Sequence, residues 1–136
     1  MKIILDNNVI LDIFIPNELF KEESQKVYDL VIDTGFDGYI CSNSLTDIFY
    51  FLKKYKGAAK AKTDISDLIK SFNIIPLTAE DCARALNLDM DDFEDAIITV
   101  CAEKSGVDYI ISRDKNFLST QNIIETATPH EFLNLF

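Results

Sequence analysis

Residues 2–8 read Lys2-Ile3-Ile4-Leu5-Asp6-Asn7-Asn8. A short β-branched apolar run that stops at a polar cluster is the pattern of a strand buried on both faces of a sheet, with Asp6 at its carboxyl end. Tyr109-Ile110-Ile111-Ser112-Arg113-Asp114 follows the same rule near the other end of the chain. Between them, Leu19, Val27, Leu30 and Val31 recur at helical spacing from Glu18 to Thr34, and Gly35 stands where a left-handed cap is expected. Tyr39-Ile40-Cys41 reads as a second strand. Leu45, Ile48, Phe49 and Leu52 form an apolar stripe on a helix from Ser44 to Lys54, closed by Gly57. Ala58 to Phe72 reads as another helix, followed by the strand Ile74-Ile75-Pro76-Leu77. Thr78 and Asp81 have capping-box spacing for a helix to Leu86. Asp92 opens a helix whose apolar side is Ala96, Ile97, Val100 and Cys101, with Gly106 just past its end. Ile123-Ile124 suggests a short strand, and Thr128, Pro129 and Glu131 start a terminal helix. This alternation predicts an α/β fold, a mainly parallel central β-sheet with helices on both faces, in one domain spanning 1–136.

The composition agrees with a folded domain. A chain of 136 residues buries roughly two-thirds of the surface that its unfolded form exposes. With 48% hydrophobic residues, 4 Gly and 3 Pro, disordered and collagen-like classes are excluded. The formal charge of -10 opposes any broad attraction to nucleic acid or anionic membrane, so a nucleic-acid contact must be local. Cys41, Cys82 and Cys101 are odd in number and widely spaced, which predicts buried thiols of a reducing compartment rather than a disulfide framework or zinc site. The apolar start is cut short at Asp6, and no run reaches the length of a membrane span. The expectation is a soluble cytoplasmic protein.

In a parallel sheet, Asp6 and Asp114 emerge at the same edge, where ligands bind near the reversal of strand order. Asp91-Asp92-Phe93-Glu94-Asp95 adds acids at a helix start, with Asp92 and Asp95 on one helix face and Glu94 directed to solvent. Gathered carboxylates repel one another unless a cation binds among them. Magnesium or manganese suits hard oxygen ligands, and His130, the lone histidine, offers no competing set. Such a centre activates water for attack on a phosphodiester. Each acid also has a plainer reading: Asp6 as a turn or cap residue, Asp92 and Asp95 as a capping pair, Asp114 as part of a turn with Lys115 and Asn116. It is the joint pattern that points to hydrolysis.

Leu5-Asp6-Asn7-Asn8-Val9-Ile10-Leu11-Asp12 resembles the opening motif of PIN domains. Asp92-Phe93-Glu94-Asp95-Ala96 resembles their central acidic motif, and Ile111-Ser112-Arg113-Asp114-Lys115-Asn116-Phe117 their third. The resemblance spans nearly the whole chain. It implies an α/β/α sandwich and a metal-dependent endoribonuclease, of the kind that serves as the toxin of a toxin-antitoxin pair. It further implies Asp6, Asp95 and Asp114 as catalytic metal ligands for Mg2+ or Mn2+, Asp92 as an outer ligand, Asn8 as support for Asp6, and Ser112 as a positioning hydroxyl. The family often carries a Glu on the helix after the second strand. Asp47 occupies that position here, one methylene shorter, and reads equally as a first-turn acid favoured by the helix dipole. An RNA substrate, a cognate antitoxin and a homodimer are the implied partners.

Tyr50-Phe51-Leu52-Lys53-Lys54-Tyr55-Lys56 is the one basic concentration, and it interleaves aromatics with lysines as RNA-tracking surfaces do. Lys53, Lys54 and Lys56, with Arg113, are the candidate RNA-binding cations, although lysine-rich helix ends are also ordinary solubilising surface. The rival reading is a degenerate PIN domain that binds RNA or protein without cutting. A receiver-type signalling module fits poorly, because Asp6-Asn7-Asn8 lacks paired acids and nothing suitable follows Ile74-Ile75-Pro76, and an Asp-nucleophile phosphatase fits poorly because Asn8 stands where its second Asp is needed.

Overall fold

The computed structural model describes residues 1–114, 117 and 123–135. Strand β1 (Lys2–Leu5) sends Ile3 and Leu5 into one core and Ile4 into another, the strict alternation that makes a strand continuously apolar when both faces are covered. It pairs in parallel with β2 (Asp37–Cys41) on one side and β4 (Tyr109–Ile111) on the other. Strands β3 (Asn73–Ile75) and β5 (Glu125–Ala127) complete a five-stranded parallel sheet in the order β3-β2-β1-β4-β5. The chain leaves β1 towards one edge and later crosses to the other, so strand order reverses between β1 and β4. No helix among the described residues is long and apolar enough to cross a membrane.

The larger core joins β1, β2 and β4 to α1 (Asn7–Phe14), α2 (Lys21–Asp33), α3 (Ser42–Lys56), α4 (Ala58–Ser71) and α7 (Pro129–Leu133). The opposite face is covered by α5 (Ala79–Leu86) and α6 (Phe93–Lys104). Residues Asp95 to Ala102 of α6 are all buried, so this helix is a central pillar rather than the one-sided helix that its pattern predicts. Gly38 permits a close approach of helices to β2: a Cβ there would lie 2.6–2.7 Å from Phe72 and Val31 side-chain atoms.

Several local expectations are met. Thr78 with Asp81 and Thr128 with Glu131 form reciprocal capping boxes, and Gly35, Gly57 and Gly106 take positive φ at helix boundaries. Three differ. α1 begins immediately after Asp6, where only a polar cluster was expected. The last strand is Glu125–Ala127 and not Ile123-Ile124. Cys41 and Cys101 are buried as expected, yet their Sγ atoms lie 3.0 Å apart despite 60 residues of separation. The proposed turn partners of Asp114, Lys115 and Asn116, lie outside the described residues.

Candidate active site

The reversal between β1 and β4 places their carboxyl ends side by side, and the Asp6 amide donates to the Ile111 carbonyl at 2.9 Å. Asp6 caps α1 with both carboxylate oxygens accepting: Oδ1 from the Asn7 amide at 2.8 Å, and Oδ2 from the Ser112 hydroxyl at 2.7 Å. Asn8 adds a long contact of 3.4 Å to the same Oδ2, and its Oδ1 accepts the Arg113 amide at 3.2 Å. The Ser112 hydroxyl in turn accepts the Asp114 amide at 3.0 Å. Asn8 and Ser112 thus stitch the first and third motifs together.

The central motif meets them from α6. Asp92 is the N-cap and accepts the Asp95 amide at 3.0 Å, so its side chain is partly committed to the helix end. Burial pushes the Asp95 carboxyl up to about 7, assisted by the negative charges of Asp92, Asp6, Asp114 and Glu94. Burial likewise raises Asp6 against the lowering effect of the Ser112 and Asn7 hydrogen bonds, and Asp114 and Asp92 raise it further. Asp6, Asp92, Asp95 and Asp114 therefore form one electrostatic unit. Glu94 is exposed, as expected, and it also accepts from Asn7 Nδ2 at 3.0 Å, with its carboxyl raised by partial desolvation and by Asp47, Asp6 and Asp92. Asp47 thus reaches the rim of the cluster through Glu94. The sequence did hold a signal for Glu94, its place between two helix-start acids, but helical spacing alone puts it on the outer face.

The donors are hard carboxylate oxygens, and Asn7 Oδ1 is buried without a hydrogen-bond partner beside them. Both features suit a divalent cation of the magnesium type. As placed, no three His, Cys, Asp or Glu side chains among the described residues converge as a ligand set. The donor chemistry, rather than a formed cage, carries the fit.

The candidate RNA-binding cations divide. Lys53 and Lys54 are exposed at the end of α3, beside exposed Tyr50 and Tyr55. Lys56 is half-buried, paired with Asp64 at 2.9 Å and set 5.5 Å from the Phe14 ring centre. Arg113 is placed differently from the lysines. Its guanidinium turns inward onto the buried carboxylate of Asp12, with Nε to Oδ2 at 2.8 Å and Nη2 to Oδ1 at 2.7 Å. A forked carboxylate partner in a low-dielectric setting outcompetes a solvent-exposed pose.

A parallel α/β/α sandwich with carboxylates at its strand-order reversal defines an α/β domain with an acidic ligand-binding edge. The chain belongs to the PIN domain family, whose sequence signature matches residues 2–116. It is 32% identical over 136 residues to Ribonuclease VapC1 of Aquifex aeolicus (strain VF5), covering 96% of this chain and 92% of that protein. Its fold is similar to Mycobacterium tuberculosis VapC20, a sarcin-ricin loop cleaving toxin, with a TM-score of 0.68 at 13% identity over 85% of this chain and 92% of that one. It is also similar to a chain of a toxin-antitoxin complex from Klebsiella pneumoniae, with a TM-score of 0.69 at 20% identity over 94% and 98%.

Proposed function

We propose that this chain, as a single PIN-like domain over residues 1–136, is a divalent-metal-dependent endoribonuclease and the toxin of a toxin-antitoxin pair. The observation that carries the reading is that Asp6 and Asp95, on two different motifs, are both raised, with the charge of Asp114 from the third motif among the causes for each. Asp6, Asp95 and Asp114 hold Mg2+ or Mn2+, with Asp92 and Asp47 as outer ligands. A bound divalent cation supplies an activated water and neutralises charge on the departing oxygen. Ser112 and the Asn7 amide fix the orientation of the Asp6 carboxylate, so that little reorganisation is left for the reaction. Burial and the neighbouring acids push the Asp95 carboxyl up to about 7, so a cation binding there would displace a proton and bind more tightly as pH rises. Lys53 and Lys54 follow the phosphate backbone, and Tyr50 and Tyr55 offer rings for unstacked bases.

The 32% identity to a protein named as a ribonuclease supports this reading. A cognate antitoxin and a second copy of the chain are its protein partners, and the cytoplasm its compartment. The test is incubation of the purified chain with structured RNA in Mn2+ or in chelator. Internal cleavage in Mn2+ alone is expected. RNA binding without cleavage in either buffer would favour a degenerate binding module, the outcome that the short Asp47 side chain would explain.

A further inference from the structure

Asp12 lies on α1 two turns from the acidic cluster, only 2% exposed, and is not one of the expected ligands. Its two oxygens accept four hydrogen bonds: Asn17 Nδ2 at 2.9 Å, the Ser24 hydroxyl at 2.8 Å, and both arms of the Arg113 fork. That fills the acceptor capacity of a carboxylate. The guanidinium carbon also lies 3.9 Å from the centre of the Phe20 ring, so one face of the fork is covered. A charged group satisfied on every side in a low-dielectric setting has one arrangement.

Arg113 is the middle residue of the Ser112-Arg113-Asp114 turn. Its amide is held by Asn8, its predecessor's hydroxyl bonds to Asp6, and its successor's amide bonds to that hydroxyl. We propose that Asp12 is a positioning residue: acting through Arg113, it fixes this turn and so sets where Asp114 stands relative to Asp6 and Asp95. Arg113 then acts through its buried fork and does not read RNA phosphates. The inference rests on the ribonuclease reading above and goes beyond it, since neither Asp12 nor Arg113 is among the metal ligands.

The test uses the full chain as wild type, Arg113→Lys, Asp12→Asn and the double variant Asp12→Asn/Arg113→Gln. Mn2+ affinity is measured by calorimetry, and kcat and KM for RNA cleavage at saturating Mn2+ in two salt concentrations. Arg113→Lys keeps the charge and loses the fork. The expected result is a fall of about 10- to 100-fold in kcat or Mn2+ affinity, the range for outer-shell partners, with KM and its salt dependence unchanged. The double variant is expected to fall no further than the worse single, because the pair acts as one unit. Should a single variant fail to fold, the double variant carries the test, since it leaves no unpaired buried charge. A lowered melting temperature with kcat and Mn2+ affinity intact would overturn the inference, as a merely structural pair. So would a raised KM with a shallower salt dependence at constant kcat, which would make Arg113 an RNA contact. Wild type that fails to bind Mn2+ would overturn the ribonuclease reading, and this inference with it, whereas variants that match an active wild type overturn this inference alone.

Discussion

Four aspartates are almost equally buried: Asp12, Asp81, Asp6 and Asp95, at 2%, 4%, 6% and 8% exposure. Two of them face a cation. Asp12 takes the Arg113 fork, and Asp81 pairs with Lys104 while closing the α5 capping box. The Lys104 hydrogen bond holds the Asp81 carboxyl below its ordinary value. Asp6 and Asp95 form no salt bridge among the described residues, face other acids, and are both pushed up. Burial is therefore not what distinguishes them. A buried acid with a cation partner supports the fold, whereas one among like charges is a liability that a structure retains for binding.

The contrast can be broken most forcefully at the clustered acids. Asp6→Asn, Asp95→Asn and Asp114→Asn are each expected to reduce RNA cleavage by more than about 100-fold, beyond the range for outer-shell partners, while circular dichroism shows the fold retained. Retained cleavage in all three would dissolve the distinction.

Next come the paired acids. Asp12→Ala leaves the Arg113 charge without its buried partner and is expected to cost about 3–5 kcal/mol of stability by denaturant unfolding. Asp81→Ala is expected to cost less, about 1–3 kcal/mol, because Lys104 can turn to water. Asp95→Asn, by contrast, is expected to raise the melting temperature in chelator, as it removes repulsion.

The two classes also differ in the sign of their pH dependence. Asp95 binds its proton more tightly when folded, so its contribution to stability is full below its ordinary 3.8 and is lost as pH rises through about 7. Metal-free wild type is therefore expected to lose stability across that window, and Asp95→Asn to flatten the decline. Asp81 has the opposite sign: its contribution is present above its ordinary value and lost as pH falls below it. A pH series of melting temperatures for wild type, Asp95→Asn and Asp81→Asn separates the two. The smallest expected effect is at Lys53 and Lys54, where each change to Ala weakens RNA binding modestly and lowers the salt slope by about 0.7, the share of one phosphate contact on a single strand.

Much of this contrast was legible in the sequence, and the reasons differ by element. The acids at the ends of β1 and β4 could be read because buried parallel strands are continuous apolar runs with abrupt polar ends. Helix starts at Thr78, Asp92 and Thr128 were legible from capping chemistry, which is local. α1 was hidden because Asp6-Asn7-Asn8 has turn composition, and the cap function of Asp6 emerges only with the helix in place. The last strand was displaced because Ile123-Ile124 is the more apolar pair. Glu125–Ala127 lies at a sheet edge, with one hydrogen-bonded neighbour and less need for apolar residues. The inward turn of Arg113 was beyond reach, since its partner lies 101 residues away and a lone arginine beside an acid reads as surface.

The most direct test of the central claim is a melting-temperature titration of metal-free wild type and Asp95→Asn with Mn2+ and Mg2+. Binding to the native state adds stability by mass action, about 2.7 kcal/mol at 100 times Kd. The account predicts a rise in wild type that is lost in Asp95→Asn. No rise at millimolar metal, or an equal rise in both proteins, would contradict it.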